Sequence, residues 1–171
     1  MMLLPFPGRE TMTYEELGQA YADSALPLID TLVEDSLVWT GKSVDPSALG
    51  RGLGVLMLTV FQLAVLDVIE LEEAQGRTIG GFLERLTKEY DNFAFDPHVL
   101  TFFEVLARAG GDDLKDRRKK ESFPRLSRLA LSRIAAVGER DKNWPLASEI
   151  VYKFIETVLQ TSHAALSETV R

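Results

Sequence analysis

A run of fourteen residues from Leu53 to Leu66 is interrupted by only two polar side chains, Thr59 and Gln62. A helix over such a run has no polar face, which is typical of a helix surrounded by other helices. A membrane span needs about 20 apolar residues, whereas runs of about 10 to 14 are more typical of buried core helices. The run therefore predicts a central helix in a bundle that does not cross a membrane. Its predicted core residues are Leu56, Val60, Leu63 and Ile69.

Signals that start and stop helices recur along the rest of the chain. Thr13 and Glu16 have the spacing of a capping box, and Asp45-Pro46 and Asp96-Pro97 each place an N-cap aspartate before a proline. No stretch shows the alternation typical of a strand over several residues. We predict an all-α, single-domain bundle of about six to seven helices around a central apolar helix at about residues 46–75, ended by Gly76.

The length of 171 residues fits one domain. We assign residues 1–12 to an N-terminal tail and residues 13–171 to the domain. Residues 110–122 are predicted to form a charged, flexible linker, because Gly110-Gly111 is expected to end a helix and nine of the ten residues from Asp112 to Glu121 are charged.

The composition excludes several kinds of site. The chain has no cysteine, so a disulfide framework, a thiolate metal site and a cysteine nucleophile are excluded. Residues 1–8 are largely apolar but lack the basic leading segment of a secretory signal. We expect a soluble, cytoplasmic protein.

The most uneven feature of the sequence is its charge. The segment Leu114–Lys142 contains ten of the nineteen Lys and Arg residues and four of the twenty-six acidic ones, so it carries +6 in a chain of net charge -7. Such asymmetry predicts an electrostatic contact surface. The residues predicted to form it are Lys115, Arg117, Arg118, Lys119, Lys120, Arg125, Arg128 and Arg133.

Carboxylates at the end of the apolar helix are the main feature that could bind a metal. The motif Glu70-Leu71-Glu72-Glu73 resembles half of the metal motif of all-α nucleotide pyrophosphohydrolases, whose second half is Glu-x-x-Asp on the next helix. The corresponding place here reads Lys88-Glu89-Tyr90-Asp91, where lysine replaces the first glutamate. Because a hard cation needs several converging oxygens, we predict no metal site there.

Neither histidine belongs to a catalytic motif. His98 and His163 are too far apart for a helical two-histidine metal motif, and no Gly-x-Ser-x-Gly or phosphate-binding loop is present. The sequence thus predicts no catalytic residue and no cofactor.

Three functions remain as hypotheses. The first is a non-catalytic interaction, adaptor or accessory subunit of a larger complex, with a protein partner and a basic contact surface at about residues 115–133. The second is a small helical subunit that contacts nucleic-acid phosphates through the same segment. The third, implied only by the partial motif, is a magnesium-dependent nucleotide pyrophosphohydrolase.

Overall fold

The computed structural model describes residues 12–116 and 123–169. These residues form seven α-helices and one 3-10 helix, with no β-strand among these elements, which confirms the predicted all-α bundle. The helices are α1 (Tyr14–Glu34), α2 (Ser36–Thr40), α3 (Pro46–Val68), α4 (Glu72–Glu89), α5 (Pro97–Lys115), α6 (Pro124–Ile134) and α7 (Trp144–Thr169). The 3-10 helix covers Phe93–Phe95 between α4 and α5.

The helix starts predicted at Thr13, Asp45 and Asp96 are confirmed. The Glu16 backbone N–H donates to Thr13 Oγ1 at 3.2 Å, and the Thr13 N–H donates to Glu16 Oε2 at 2.8 Å, which completes the capping box of α1. The Asp45 carboxylate caps α3 and the Asp96 carboxylate caps α5. Each cap satisfies one of the backbone donors that a helix leaves unpaired in its first turn.

Helix α3 lies at the centre of the bundle and contacts α1, α4, α5, α6 and α7. It is long and apolar enough to cross a membrane, but 72% of its most apolar window is buried inside the protein. Leu56, Val60 and Ile69 are buried as predicted. Leu63 is only partly buried and Leu66 is 50% exposed, so the apolar run is not enclosed along its whole length.

The predicted end of the central helix is wrong. Helix α3 stops at Val68, and Ile69, with φ -96° and ψ 119°, leaves the helix and buries its side chain in the core. A new helix, α4, begins at Glu72 and continues through Gly76. Carboxylates favour the positive N-terminal end of a helix, so Glu72 and Glu73 belong to the first turn of α4 rather than the last turn of α3.

The predicted linker is also partly wrong. Helix α5 continues through Gly110-Gly111 to Lys115, so residues 110–115 are helical. At Gly110, a Cβ would lie 3.0 Å from Leu63 Cδ1 on α3. The absence of a side chain there lets the two helices approach, which is a packing reason for a glycine inside a helix. Residues 117–122 of the linker and residues 1–11 of the predicted tail lie outside the described part of the chain.

Helices α1 and α4 run in the same direction and approach at the backbone. A Cβ at Gly18 would lie 2.1 Å from the Thr78 carbonyl oxygen, and a Cβ at Gly81 would lie 2.1 Å from the Glu15 carbonyl oxygen. Arg77 donates to both carboxylate oxygens of Glu15, at 2.6 and 3.0 Å. The two glycines therefore set the separation of the helices, and the ion pair links their first turns.

The three glycines near the start of α3 also accommodate neighbouring side chains. The ring of Tyr90 lies against Gly50 and Gly54, and Ile134 of α6 lies against Gly52. Burial raises the pKa of the Tyr90 phenol to about 12. These glycines weaken the helix intrinsically, but they allow close packing of α3 that larger residues would prevent.

Candidate functional site

The residues of the predicted basic surface lie on two different helices and in an undescribed segment. Lys115 lies in the last turn of α5, whereas Arg125, Arg128 and Arg133 lie on α6. The other predicted members, Arg117, Arg118, Lys119 and Lys120, fall outside the described residues. The described part of this surface therefore consists of its two ends.

Arg125 forms an ion pair with a buried carboxylate that was not predicted from the sequence. Asp113 of α5 is fully buried, and its Oδ1 accepts from the Arg125 backbone N–H at 3.2 Å and from Arg125 Nη1 at 3.1 Å. Its Oδ2 accepts from the Leu126 N–H at 3.0 Å. Asp113 thus caps α6 from outside that helix and holds its first turn against α5.

A signal for this cap exists in the sequence. Pro124 occupies the first position of α6, but the preceding residue is Phe123, which has no side-chain acceptor. A helix that starts without its own N-cap side chain needs an acceptor from elsewhere, and the acids that precede it in the sequence include Asp113, Asp116 and Glu121. Only the folded chain shows which of them is used.

Arg128 and Arg133 differ from Arg125. Arg128 is largely exposed and pairs with Glu139 at 2.7 Å, an interaction that water screens strongly. Arg133 lines a cavity together with Arg51 and His98. Within the described ranges, then, α6 does not present one uniform basic face.

The partial metal motif does not come together. Glu70 lies in the link before α4 and Glu73 lies in the first turn of α4, whereas Lys88 and Asp91 lie at and just beyond its other end. At 1.5 Å per residue, α4 separates these positions by roughly 20 Å or more. Among the residues that the structure describes, no group of three or more His, Asp or Glu side chains is placed to hold a metal ion. The geometry gives the pyrophosphohydrolase resemblance no support.

The two histidines lie apart. His98 is exposed in the first turn of α5, and its backbone N–H donates to Asp96 Oδ1 at 2.9 Å. His163 lies on α7, with its Nε2 3.3 Å from Asp67 Oδ2.

The Asp96 carboxylate that caps α5 also accepts from Arg51 Nη2 at 2.7 Å. This guanidinium lowers the pKa of the Asp96 carboxyl below its ordinary value.

An apolar groove between α1 and α7 is the second feature that sequence reasoning missed. Leu28 and Leu32 line it from α1, and Ile150 and Phe154 line it from α7, with Thr31, Lys153 and Thr157 at its edges. The helical spacing of Leu28 and Leu32 is typical of inward-facing positions, but both side chains are only partly buried. They belong to a surface depression rather than to the centre of the core.

Exposed apolar side chains lie at the same end of the molecule. Leu37 and Val38 of α2 are 65% and 70% exposed, and Leu146 in the first turn of α7 is 40% exposed. The indole of Trp39 donates to the Leu32 carbonyl at 2.9 Å, and α2 contacts α7. Leu37 and Val38 are therefore held beside the helices that form the groove. We call these residues and the groove together the α1/α7 surface.

Comparison with family models, with curated proteins and with solved structures finds no match to this chain.

Proposed function

We propose that this protein is a non-catalytic helical interaction subunit, and that it binds a partner protein through the α1/α7 surface. The observation that supports the proposal is an apolar groove whose neighbouring side chains, Leu37 and Val38, are more than half exposed. Contiguous apolar surface is costly to leave in water, and where it occurs it marks contact sites.

The shape of the groove suits a helix of the partner. Its walls are two helices, and each wall contributes apolar side chains four residues apart, Leu28 with Leu32 and Ile150 with Phe154. An amphipathic helix binds such grooves by inserting apolar residues at the same helical spacing. Leu37, Val38 and Leu146 then extend the contact at one end.

The basic segment is the second part of the proposal. Lys115 and Arg128 would contact acidic groups of the partner. Charges at an interface edge mainly increase the association rate and select the partner. Arg125 has a different role, since it holds the buried Asp113. Reversing its charge would therefore damage the fold as well as the surface.

The proposal is tested by measuring affinity for a partner captured from the source cell and then purified. The double variant Leu37→Ser, Val38→Ser removes two exposed apolar side chains, and Phe95→Ser is the matched control because Phe95 is 75% exposed on the 3-10 helix. Burying one such side chain contributes about 1.5 to 3 kcal/mol, so the double variant should weaken binding at least about tenfold. The control should bind as the parent does.

Two results would contradict the proposal. One is equal affinity of the double variant and the parent for the purified partner. The other is a concentration-dependent dimer in light scattering that the double variant abolishes, because the α1/α7 surface would then bind a second copy of the chain.

Charge reversal at Arg128 should slow association with the partner more than it speeds dissociation.

A nucleic-acid partner is supported by one further observation. Arg128 and Arg140 line a surface depression together with the indole of Trp144, which combines phosphate-binding and base-stacking groups, although Glu139 and Asp141 line the same depression and Glu139 pairs with Arg128. Under this alternative, single-stranded RNA should bind with a log affinity that falls linearly with log salt, by about 0.7 per neutralised phosphate. Trp144→Ala should weaken that binding without changing the salt slope, and absence of any shift at low salt would exclude the alternative.

A further inference from the structure

The cavity lined by Arg51, His98 and Arg133 joins side chains from α3, α5 and α6. Its volume of about 250 Å³ is below the roughly 300 to 1,000 Å³ of drug-sized ligand pockets, so it has room only for a small organic molecule. None of its lining residues belongs to the α1/α7 surface, so a ligand bound here would be independent of the proposed protein partner.

Charges in this cavity do not cancel. Of the described residues that line it, Asp96 is the one with a carboxylate, and Arg51 already pairs with it. Arg51 also donates to the Asp91 carbonyl at 2.8 Å, and its guanidinium lies 5.6 Å from the centre of the Phe93 ring, so its position is fixed. Arg133 and His98 are both exposed where they line the cavity, and no carboxylate among residues 12–116 and 123–169 lies within ion-pairing distance of Arg133. Within the described part of the chain, the cavity thus keeps one positive charge without a paired carboxylate, in a protein of net charge -7.

The rest of the wall is apolar. Val99 is buried and Phe102 and Ile134 are partly buried, and Val55 and Gly52 of the central helix also line the cavity. Since Gly52 has no side chain, Ile134 can lie against α3 and close this side of the cavity. An arginine that no described carboxylate pairs with, lying beside an apolar wall, is an arrangement that recognises a monoanion with an apolar body.

We infer that the cavity binds a small organic carboxylate through Arg133, with His98 as a second polar contact and the apolar wall against the body of the ligand. The planar guanidinium of arginine matches a carboxylate by two parallel hydrogen bonds. A dianion such as phosphate would leave one charge uncompensated and the apolar wall unused.

The test uses benzoate as the probe and the two histidines as reporters. The chain has only these two, so the imidazole resonance of His98 can be separated in NMR spectra from that of His163, which contacts Asp67. Benzoate should move the His98 signal saturably at concentrations up to about 10 mM, the weak end of specific binding. The His163 signal should stay in place. Benzamide, which lacks the charge, and acetate, which lacks the apolar body, should each bind at least about tenfold more weakly.

Substitution of the arginine separates specific from general charge effects. Arg133→Gln should lower benzoate affinity at least about tenfold. Arg128→Gln, on the same helix but outside this cavity, should leave it unchanged. The inference is overturned if benzoate does not move the His98 signal saturably, if inorganic phosphate or acetate binds as tightly as benzoate, or if the two arginine variants bind alike.

Discussion

Two neighbouring glycines in α4 should respond in opposite ways to the same substitution. Gly80 is exposed, and a Cβ added there would meet nothing within 4 Å. Gly81 is buried, and its Cβ would lie 2.1 Å from the Glu15 carbonyl oxygen and 2.7 Å from the carbonyl carbon. The latter distances are far shorter than the roughly 3.5 Å of ordinary contact. Alanine at Gly81 therefore forces α1 and α4 apart by about an ångström.

The magnitudes follow from two opposing effects. Replacing glycine by alanine inside a helix stabilises it by about 1 kcal/mol, and this gain applies at both positions. Overpacking costs about 1 to 3 kcal/mol, and the upper end applies at Gly81 because the obstruction is backbone rather than a flexible side chain. Gly80→Ala should stabilise the protein by about 1 kcal/mol, and Gly81→Ala should destabilise it by about 2 kcal/mol.

Thermal unfolding followed by circular dichroism measures the difference. One kcal/mol shifts the melting temperature of a protein of this size by about 2 to 4 °C. Gly80→Ala should therefore raise it by about 3 °C and Gly81→Ala should lower it by about 6 °C. Urea unfolding should give the same order of stability. If Gly81→Ala melts at or above Gly80→Ala, the close approach of α1 and α4 is not present in solution.

Three further predictions concern the interior and the ion pairs. Asp113→Ala should lower the free energy of unfolding in urea by about 3 kcal/mol, because it leaves buried donors of α6 unpaired. The control is Asp116→Ala, which should cost less than about 1 kcal/mol because the Asp116 carboxylate is 3.8 Å from Arg125. Equal losses would contradict the capping role of Asp113. Arg77 lowers the pKa of Glu15 below its ordinary 4.5, and Arg51 lowers the pKa of Asp96 below its ordinary 3.8. At acidic pH the folded state therefore binds fewer protons than the unfolded state. The resulting stabilisation is complete above the ordinary pKa values and should be lost as the pH falls through the lowered ones. Asp96→Asn should flatten this decline in denaturant titrations at acidic pH, and an unchanged slope would show that its ion pair does not form in solution. Val60→Asp should abolish the helical circular dichroism of the native state, while Leu66→Asp on the same helix should preserve it, because Val60 is 0% exposed and Leu66 is 50% exposed.

The helical class, the central position of α3 and the starts of three helices could be predicted from the sequence. Each depends on local chemistry. A capping box or an aspartate before proline acts on backbone donors within a few residues, and an apolar run without a polar face has to be covered wherever the helix lies. For this reason Thr13, Asp45 and Asp96 were identified correctly as caps.

Tertiary structure decided where α3 and α5 end and how the described charges pair. The break at Ile69 and the continuation through Gly110 depend on which neighbour each residue meets, and those neighbours are distant in the sequence. The same holds for the charged groups. Arg125 and Arg133 are equivalent in a sequence pattern, yet one neutralises a buried aspartate twelve residues away and the other faces an open cavity. Composition determines how many charges a chain carries, but only packing brings a particular acid close enough to a particular base to cancel it.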